Sequence, residues 1–178
     1  MVSVLVLGSH TATGRPSTTA DAVRTLAALV PAAVDGVVRD VQLLAAPGDD
    51  ALDRIADHAG CGFIQEADLA TALQTAVARA RGAHHLVLLA GVSFDRAFVD
   101  EMAGIGTRHA AWVPQGIALK AVESGVFGRV LPRFAPTVGV LTERQQMAAV
   151  RANSVAALWR SLRPHRVFRT RAWSGGDG

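Results

Sequence analysis

The amino-acid sequence predicts an α/β domain with three layers, α/β/α, around a mainly parallel open sheet. The prediction depends on two observations within the first 105 residues. Apolar, β-branched runs occur there without polar alternation, which is typical of strands that are buried on both faces. Segments with helical apolar spacing separate these runs, so strand and helix alternate four times. The runs assigned to strands are 2–7, 37–44, 61–64 and 84–90.

Capping residues indicate where the helices between these strands begin and end. Ser, Thr and Asp side chains accept hydrogen bonds from the free N–H groups of a first helical turn. Gly60 and Gly82 follow periodic apolar segments, and glycine commonly ends a helix. The segment 95–102 is expected to form a fourth helix. The expected caps of the first three helices are Ser17, Thr18 or Thr19, then Asp49, then Asp68.

After Gly106 the apolar periodicity weakens, and the expected elements follow from shorter runs. They are a strand over 109–113, a helix over 117–126, a strand over 138–141, a helix over 142–162 and a short strand over 167–171. A chain of 178 residues suits one domain. We therefore expect a single α/β domain over 1–172 and a flexible, glycine-rich tail over 173–178.

Composition excludes several classes of protein. Half of the residues are hydrophobic and 19% are charged, which excludes a disordered chain. The single cysteine, Cys61, excludes an internal disulfide framework and a cysteine-rich zinc site. The longest apolar runs are far shorter than the roughly 20 residues of a membrane span. No signal-peptide pattern is visible at the start, so we expect a cytoplasmic protein without a transmembrane segment.

The basic residues do not indicate a nucleic-acid partner. The net charge is +3, and the basic set consists of 17 Arg and one Lys, Lys120. We interpret this bias mainly as an effect of GC-rich coding. A nucleic-acid site would need a clustered basic face with aromatic residues. The Arg residues near the end of the chain are expected to lie on a solvated last helix and strand.

The loop after the first strand is the first candidate site. Five residues separate Gly8 from Gly14, and Arg15 follows, so neither a P-loop nor a dinucleotide fingerprint is present. The loop is rich in hydroxyl groups and leads into a helix N-terminus, which suits a phosphate group. Gly8, Ser9 and His10 are therefore candidate nucleotide contacts. A polar surface loop with an ordinary helix cap explains the same residues.

Other polar residues are weaker candidates. Asp49 and Asp50 follow the second strand at a helix start, and they are kept as nucleotide-binding candidates although capping explains both. His84 and His85 are adjacent on a strand, so their side chains point to opposite faces. Cys61 is expected to be an inert core thiol. No catalytic residue and no metal ligand can be assigned from these patterns.

A longer resemblance covers roughly residues 2–105 and, more faintly, 136–150. The second strand and helix carry it in VVRDVQLL (37–44), GDDAL (48–52) and IADHAG (55–60). It continues in LATALQTAVARARG (69–82), LVLL (86–89) and FVDEM (98–102). These segments resemble family-2 glycosyltransferases, which have the GT-A fold, a nucleotide-sugar-binding α/β sheet. The resemblance implies a nucleotide or a nucleotide-sugar as ligand and glycosyl transfer as the nominal reaction.

The chain departs from that family at its acidic positions. The family's Asp after the second strand contacts uracil or ribose, and Ala45-Ala46 stands there. The family's Asp-x-Asp binds a divalent cation and the diphosphate, and Ala90-Gly91-Val92 stands there. The sequence contains no Glu-Asp dipeptide to match the family's later base. We therefore expect a degenerate scaffold without a divalent metal, although a cation such as Arg15 could replace that metal.

Two further interpretations stay open. The loop 8–17 alone is compatible with a flavodoxin-like oxidoreductase that binds FMN and uses NADPH. A purely structural role is the second alternative, in which the chain forms a homo-oligomer or binds a protein partner. The apolar segments 112–114 and 126–127 could then carry the contact.

Overall fold

The computed structural model describes residues 1–8, 18–106, 116–121, 135–168, 170 and 172–174. The strands in these ranges are β1 (Val2–Leu7), β2 (Val38–Ala45), β3 (Gly62–Gln65), β4 (His84–Leu89), β5 (Val92–Ser93), β6 (Ile117–Lys120), β7 (Thr137–Glu143), β8 (Arg166–Val167) and β9 (Trp173–Ser174). The helices are α1 (Thr19–Val34), α2 (Asp50–Ala59), α3 (Leu69–Arg79), α4 (Arg96–Ala103), α5 (Arg144–Ala149) and α6 (Val155–Leu162). A 3₁₀ turn, Gly104–Gly106, follows α4.

Seven of these strands form the main sheet, in the order β3-β2-β1-β4-β7-β6-β8. The first four pair in parallel, and β7 runs antiparallel to both of its neighbours, β4 and β6. The strands β5 and β9 form a separate antiparallel pair. The structure thus confirms the expected three-layer α/β fold with a mainly parallel sheet.

Helices bury both faces of the central strands. Val4 and Val6 belong to a core with α1, α2 and α4, whereas Leu5 and Leu7 belong to a second core with α3, α5 and α6. Every residue of β1 is buried. Since neither face of the strand meets water, no polar residue has to alternate with the apolar ones. This burial explains why the continuous apolar runs predicted parallel strands correctly.

The expected N-caps are present where the structure describes them, whereas α3 ends with Ala80 as its C-cap, before the expected Gly82. Thr18 accepts from the Asp21 amide and the Asp21 side chain accepts from the Thr18 amide, so the two form a capping box. Asp49 and Asp68 cap α2 and α3 by accepting hydrogen bonds from the Leu52 and Thr71 amides. Gly60 ends α2 with φ +66°, a conformation that favours glycine.

The second half of the chain corrects two expectations. Residues 117–120 are not helical but form β6, which lies between β7 and β8. A short apolar run fits a buried strand and a buried helix equally well, and the neighbouring strands decided the outcome. The expected helix over 142–162 is interrupted. Its first two residues end β7, and 150–154 separate α5 from α6, which Ser154 caps.

Two expected segments lie wholly or partly outside the described ranges. The expected strand over 109–113 lies outside them. Trp173 and Ser174, assigned to the flexible tail, pair with Ser93 and Val92 as β9, and residues 175–178 lie outside the described ranges. No helix in the described part of the chain is long and apolar enough to cross a membrane.

Candidate functional site

The carboxyl ends of β1, β2 and β4 meet at one edge of the sheet. Leu7 pairs with Leu44 on one side and with Leu89 on the other, so the loops that follow these strands begin side by side. Ligands of open α/β sheets bind at this edge. We call it the nucleotide edge, after the ligand that the sequence predicts there. Of the five candidate residues, Gly8, Asp49 and Asp50 are described there, whereas Ser9 and His10 lie outside the described residues.

Close packing around position 8 explains why this residue is a glycine. Its amide donates to the Leu44 carbonyl at 2.8 Å, which extends the β1–β2 ladder by one residue. A Cβ at this position would lie 2.8 Å from Leu52 Cδ1 and 3.0 Å from the Leu44 carbonyl oxygen. The absence of a side chain thus lets α2 approach the end of β1. The glycine therefore does not by itself indicate a ligand.

Asp49 and Asp50 border the same edge, after the end of β2. The half-buried Asp49 carboxylate accepts from the Leu52 amide at 3.3 Å and caps α2. Asp50 is exposed in the first turn of α2. The two carboxylates make this side of the edge unfavourable for a phosphate, because like charges repel at close range. They can accept hydrogen bonds, so hydroxyl or amide donors of a ligand suit them better.

Residues 90–92 follow β4, and we call them the exit of β4. They contact the first turn of α1. The Ala90 amide donates to the Leu7 carbonyl at 3.0 Å, and the Gly91 amide donates to the Asp21 carbonyl at 3.0 Å. Gly91 has φ +90°, and a Cβ there would lie 3.2 Å from Asp21 Oδ1. The buried Thr25 hydroxyl donates to the Val92 carbonyl at 2.9 Å. Helix α1 and the exit of β4 are therefore fixed to each other.

Asp21 is the carboxylate that lies against this exit. Its Oδ2 accepts from the amide and the hydroxyl of Thr18, both at 2.9 Å, and its Oδ1 accepts from Arg24 Nη1 at 2.9 Å. The Thr18 amide is the main cause that holds the pKa of Asp21 below its ordinary value, against the opposing effect of burial. Asp21 is thus ionised at neutral pH, with both oxygens engaged in hydrogen bonds within α1.

Sequence reasoning did not identify Asp21 as a residue of this edge. The Thr18-x-x-Asp21 spacing could have predicted the capping box, because that contact is local. Its contact with Gly91 is 70 positions away in the chain and depends on how α1 crosses over the sheet. No local signal marks it.

The residues that follow β4 offer few ligands to a divalent cation. Mg²⁺ and Mn²⁺ prefer oxygen ligands, commonly one or two carboxylates. Ala90, Gly91 and Val92 supply no side-chain oxygen, and Asp21 is committed to Thr18 and Arg24. Within the ranges that the structure describes, no group of three or more His, Cys, Asp or Glu residues could hold a metal ion.

A short C-terminal strand lies next to the exit of β4. The Ser93 hydroxyl donates to the Trp173 carbonyl at 3.4 Å, and Ser93 and Trp173 pair in the β5–β9 ladder. Thr170 is held by Glu101 of α4, whose Oε2 accepts from its amide at 3.0 Å and from its hydroxyl at 2.8 Å. The Trp173 side chain is 44% exposed. An aromatic surface thus borders this side of the edge, and sequence reasoning did not place it there.

The remaining candidates lie away from the edge. His84 and His85 begin β4 at its opposite end, and their side chains point to opposite faces as expected. His85 is fully buried, whereas His84 is half-buried. Cys61 precedes β3 and is half-buried, and burial raises the pKa of its thiol. A raised thiol pKa agrees with an inert cysteine, but Cys61 packs against the core and, contrary to expectation, is not buried within it.

No protein-family model matches the sequence, and no curated protein matches it. Solved structures of several proteins do match the fold. Glucosyl-3-phosphoglycerate synthase from Mycobacterium tuberculosis, in complex with Mn²⁺, UDP and glucosyl-3-phosphoglycerate, is 13% identical with a TM-score of 0.67. The match covers 99% of this chain and 72% of the synthase.

Two further structures have the same fold. HddC from Yersinia pseudotuberculosis, complexed with GMP-PN, is 10% identical with a TM-score of 0.58, over 97% of this chain and 92% of HddC. Rv0371C from M. tuberculosis, in complex with manganese, is 14% identical with a TM-score of 0.56, over 94% and 86%. At these identities the likeness shows the fold alone. The chain has a GT-A-like fold, as its resemblance to family-2 glycosyltransferases implied.

The fold does not support the flavodoxin-like alternative. Flavodoxins have the strand order 2-1-3-4-5, whereas the sheet here has the order β3-β2-β1-β4-β7-β6-β8 with β7 antiparallel. The oligomerisation alternative was placed on segments 112–114 and 126–127, and both lie outside the described residues.

Proposed function

We propose that this chain binds a nucleoside diphosphate or a nucleotide-sugar at the nucleotide edge. In this proposal it is a glycosyltransferase-like scaffold without the family's Asp-x-Asp metal site. The fold supports the proposal, because three proteins of similar fold, each 14% identical to this chain or less, are solved with UDP, with GMP-PN or with manganese. Each of these ligands belongs to the neighbour that carries it, and the extension to this chain is ours.

The observation that carries the proposal is the lack of carboxylates at the exit of β4. Its residues Ala90-Gly91-Val92 have no carboxylate, and Gly91 has φ +90° and packs against Asp21. A divalent cation that bridges the diphosphate would neutralise the charge of a leaving nucleotide, which is a large part of such catalysis. Because this exit offers that cation no side-chain ligand, we propose binding without metal dependence and a degenerate glycosyl transfer.

The proposed ligand has two ends with different partners. Asp49 and Asp50 are carboxylates beside β2, so we assign the ribose or base to that side, where hydroxyl and amide groups can donate to them. We assign the phosphate groups to the loop after Gly8, with Ser9 and His10 as donors.

Calorimetric titration of the full chain with UDP, GDP and UDP-glucose, with and without Mn²⁺, tests the proposal. We expect binding that Mn²⁺ does not tighten, and weaker binding in Ser9→Ala and His10→Ala variants. Ser161→Ala, on α6 and on the other face of the sheet, is the matched control. Tightening by Mn²⁺ of about tenfold or more, equivalent to about 1.4 kcal/mol, would contradict the metal-independent site. An absence of binding for all three nucleotides would contradict the function itself.

A second assay separates binding from catalysis. Release of UDP from UDP-glucose in the presence of Mn²⁺ and candidate acceptors, at a rate above that of spontaneous hydrolysis, would show an active transferase. In that case the proposal of a degenerate scaffold is wrong, while the nucleotide-binding part of the proposal stands.

A further inference from the structure

The outer face of α1 lacks the polar residues that a surface helix normally has. No charged residue occurs from Thr25 to Val34, and Thr25 itself is buried. The residues that pack on the sheet are Ala22, Thr25, Leu26, Leu29 and Ala32. The neighbouring face of α1, on the side of α2, exposes Val23, Val30 and Val34 by 48%, 56% and 79%. A helix whose apolar surface extends well beyond its sheet-facing side is normally covered there too.

We propose that two copies of this chain form a twofold dimer through this face of α1. The exposed stripe consists of Val23, Ala27, Val30 and Val34, with spacings of four, three and four residues. This sequence of spacings reads the same in both directions. Two antiparallel copies of α1 therefore place Val23 of each copy opposite Val34 of the other, and Ala27 opposite Val30. A twofold interface requires such a self-complementary patch.

Charged residues at the two ends of the stripe suit the same arrangement. Arg24 and Asp35 are separated by eleven positions, which is close to three helical turns, so they lie on the same flank of α1. Their side chains are 44% and 33% exposed. In an antiparallel pair, Arg24 of one copy approaches Asp35 of the other. Each has an ion-pair partner within its own chain, Asp21 for Arg24 and Arg96 for Asp35, and each can share its charge across the dimer.

The stripe forms one wall of a groove between α1 and α2. The groove has a volume of about 400 Å³, and Val23, Ala27 and Val30 line it together with Val41 of β2 and Ile55 of α2. A single pair of helices buries less than the roughly 800 Å² per partner of a standard interface. Only the far wall of the groove adds contact area, so the dimer is expected to be weak and to depend on concentration.

Sedimentation velocity of the full chain, from about 1 µM to about 1 mM, covers the range in which weak dimers dissociate. We expect the average mass to rise from one chain toward two over this range. Val30→Arg should keep the chain monomeric, because it places a charge at the centre of the stripe. Val167→Arg adds the same charge at another valine, 47% exposed and outside the stripe, and should dimerise like the unmodified chain.

Cross-linking tests the antiparallel register. Val23→Cys and Val34→Cys are made separately in a Cys61→Ala background and oxidised alone or mixed. Equal residues in an antiparallel dimer are about 16 Å apart along the helix, too far for a disulfide. We therefore expect a cross-linked dimer only in the mixture. A monomer at every concentration, dimerisation of Val30→Arg, or cross-linking of either single variant alone would overturn the proposal, whether or not the chain binds a nucleotide.

Discussion

Acid should destabilise this protein through His85, which is fully buried near the amino ends of the strands. His85 lies between Ser3 of β1 and Thr142 of β7 in the sheet register. The Ser3 hydroxyl donates to Asp40 Oδ1 at 2.5 Å and accepts from the Gly82 amide at 2.7 Å. Neither imidazole nitrogen has a hydrogen-bond partner among the residues that the structure describes. A positive charge on this ring would therefore be poorly solvated.

The expected loss of stability follows from the pKa of His85. Burial, followed by the charge of Arg144, lowers this pKa from 6.5 to about 4, against the opposing effect of Asp40. Between these two pH values the unfolded chain binds more protons than the folded chain. The contribution of the neutral ring to the free energy of unfolding is therefore complete above pH 6.5 and is lost as the pH falls toward 4. The shift corresponds to about 3 kcal/mol, a large part of the 5–15 kcal/mol typical of a domain.

Urea unfolding at a series of pH values from 7 to 4 measures this loss. His85→Leu has a similar volume and no titrating group, so its free energy of unfolding should depend much less on pH over this range. His84→Gln is the matched control, because His84 is its neighbour in the chain but only half-buried and on the other face. Its pKa is lowered mainly by burial, so we expect a smaller effect from its removal.

The outcome that would refute the reasoning is an equal slope of unfolding free energy against pH in the unmodified chain and in His85→Leu. An NMR titration gives a second check, since the His85 ring should stay neutral at pH 5 in the folded chain. A ring that is protonated at pH 5 without loss of stability would show that a partner compensates its charge.

Three further predictions concern the nucleotide edge. Gly8→Ala should lower the free energy of unfolding by about 1–3 kcal/mol, because its Cβ would meet Leu52 Cδ1 at 2.8 Å; denaturant unfolding that shows no loss would contradict this packing role. Val92→Asp, a partial restoration of the family's motif, should cost at least about 2 kcal/mol more than Val92→Ala, because Val92 is only 1% exposed; equal thermal stability of the two variants would disprove this. Thr18→Ala should lower the free energy of unfolding by about 1 kcal/mol, because the capping box is lost. Amide hydrogen exchange at the start of α1 should then increase, and unchanged exchange would show that the cap contributes little.

Local patterns in the chain determined the first half of the fold. Thr18, Asp49, Asp68 and Gly60 act on backbone groups within a few positions of themselves, so their spacing predicted where α1, α2 and α3 begin and where α2 ends. The apolar runs predicted β1 and β4 because strands buried on both faces need no alternation of polar and apolar residues. The β4 run, together with segments of β2, α2, α3 and α4, carried the resemblance that led to the GT-A-like fold.

Only the tertiary structure decided what these elements bring together. Residues 117–120 form a strand because β7 and β8 lie on either side, although the run itself is compatible with a helix. Asp21 reaches Gly91, and Trp173 reaches Ser93, through contacts between positions that are 70 or more residues apart in the chain. The sequence by itself thus determined which segments are strands and helices in its first half. The surroundings of the nucleotide edge depend on how distant segments pack, which no local pattern records.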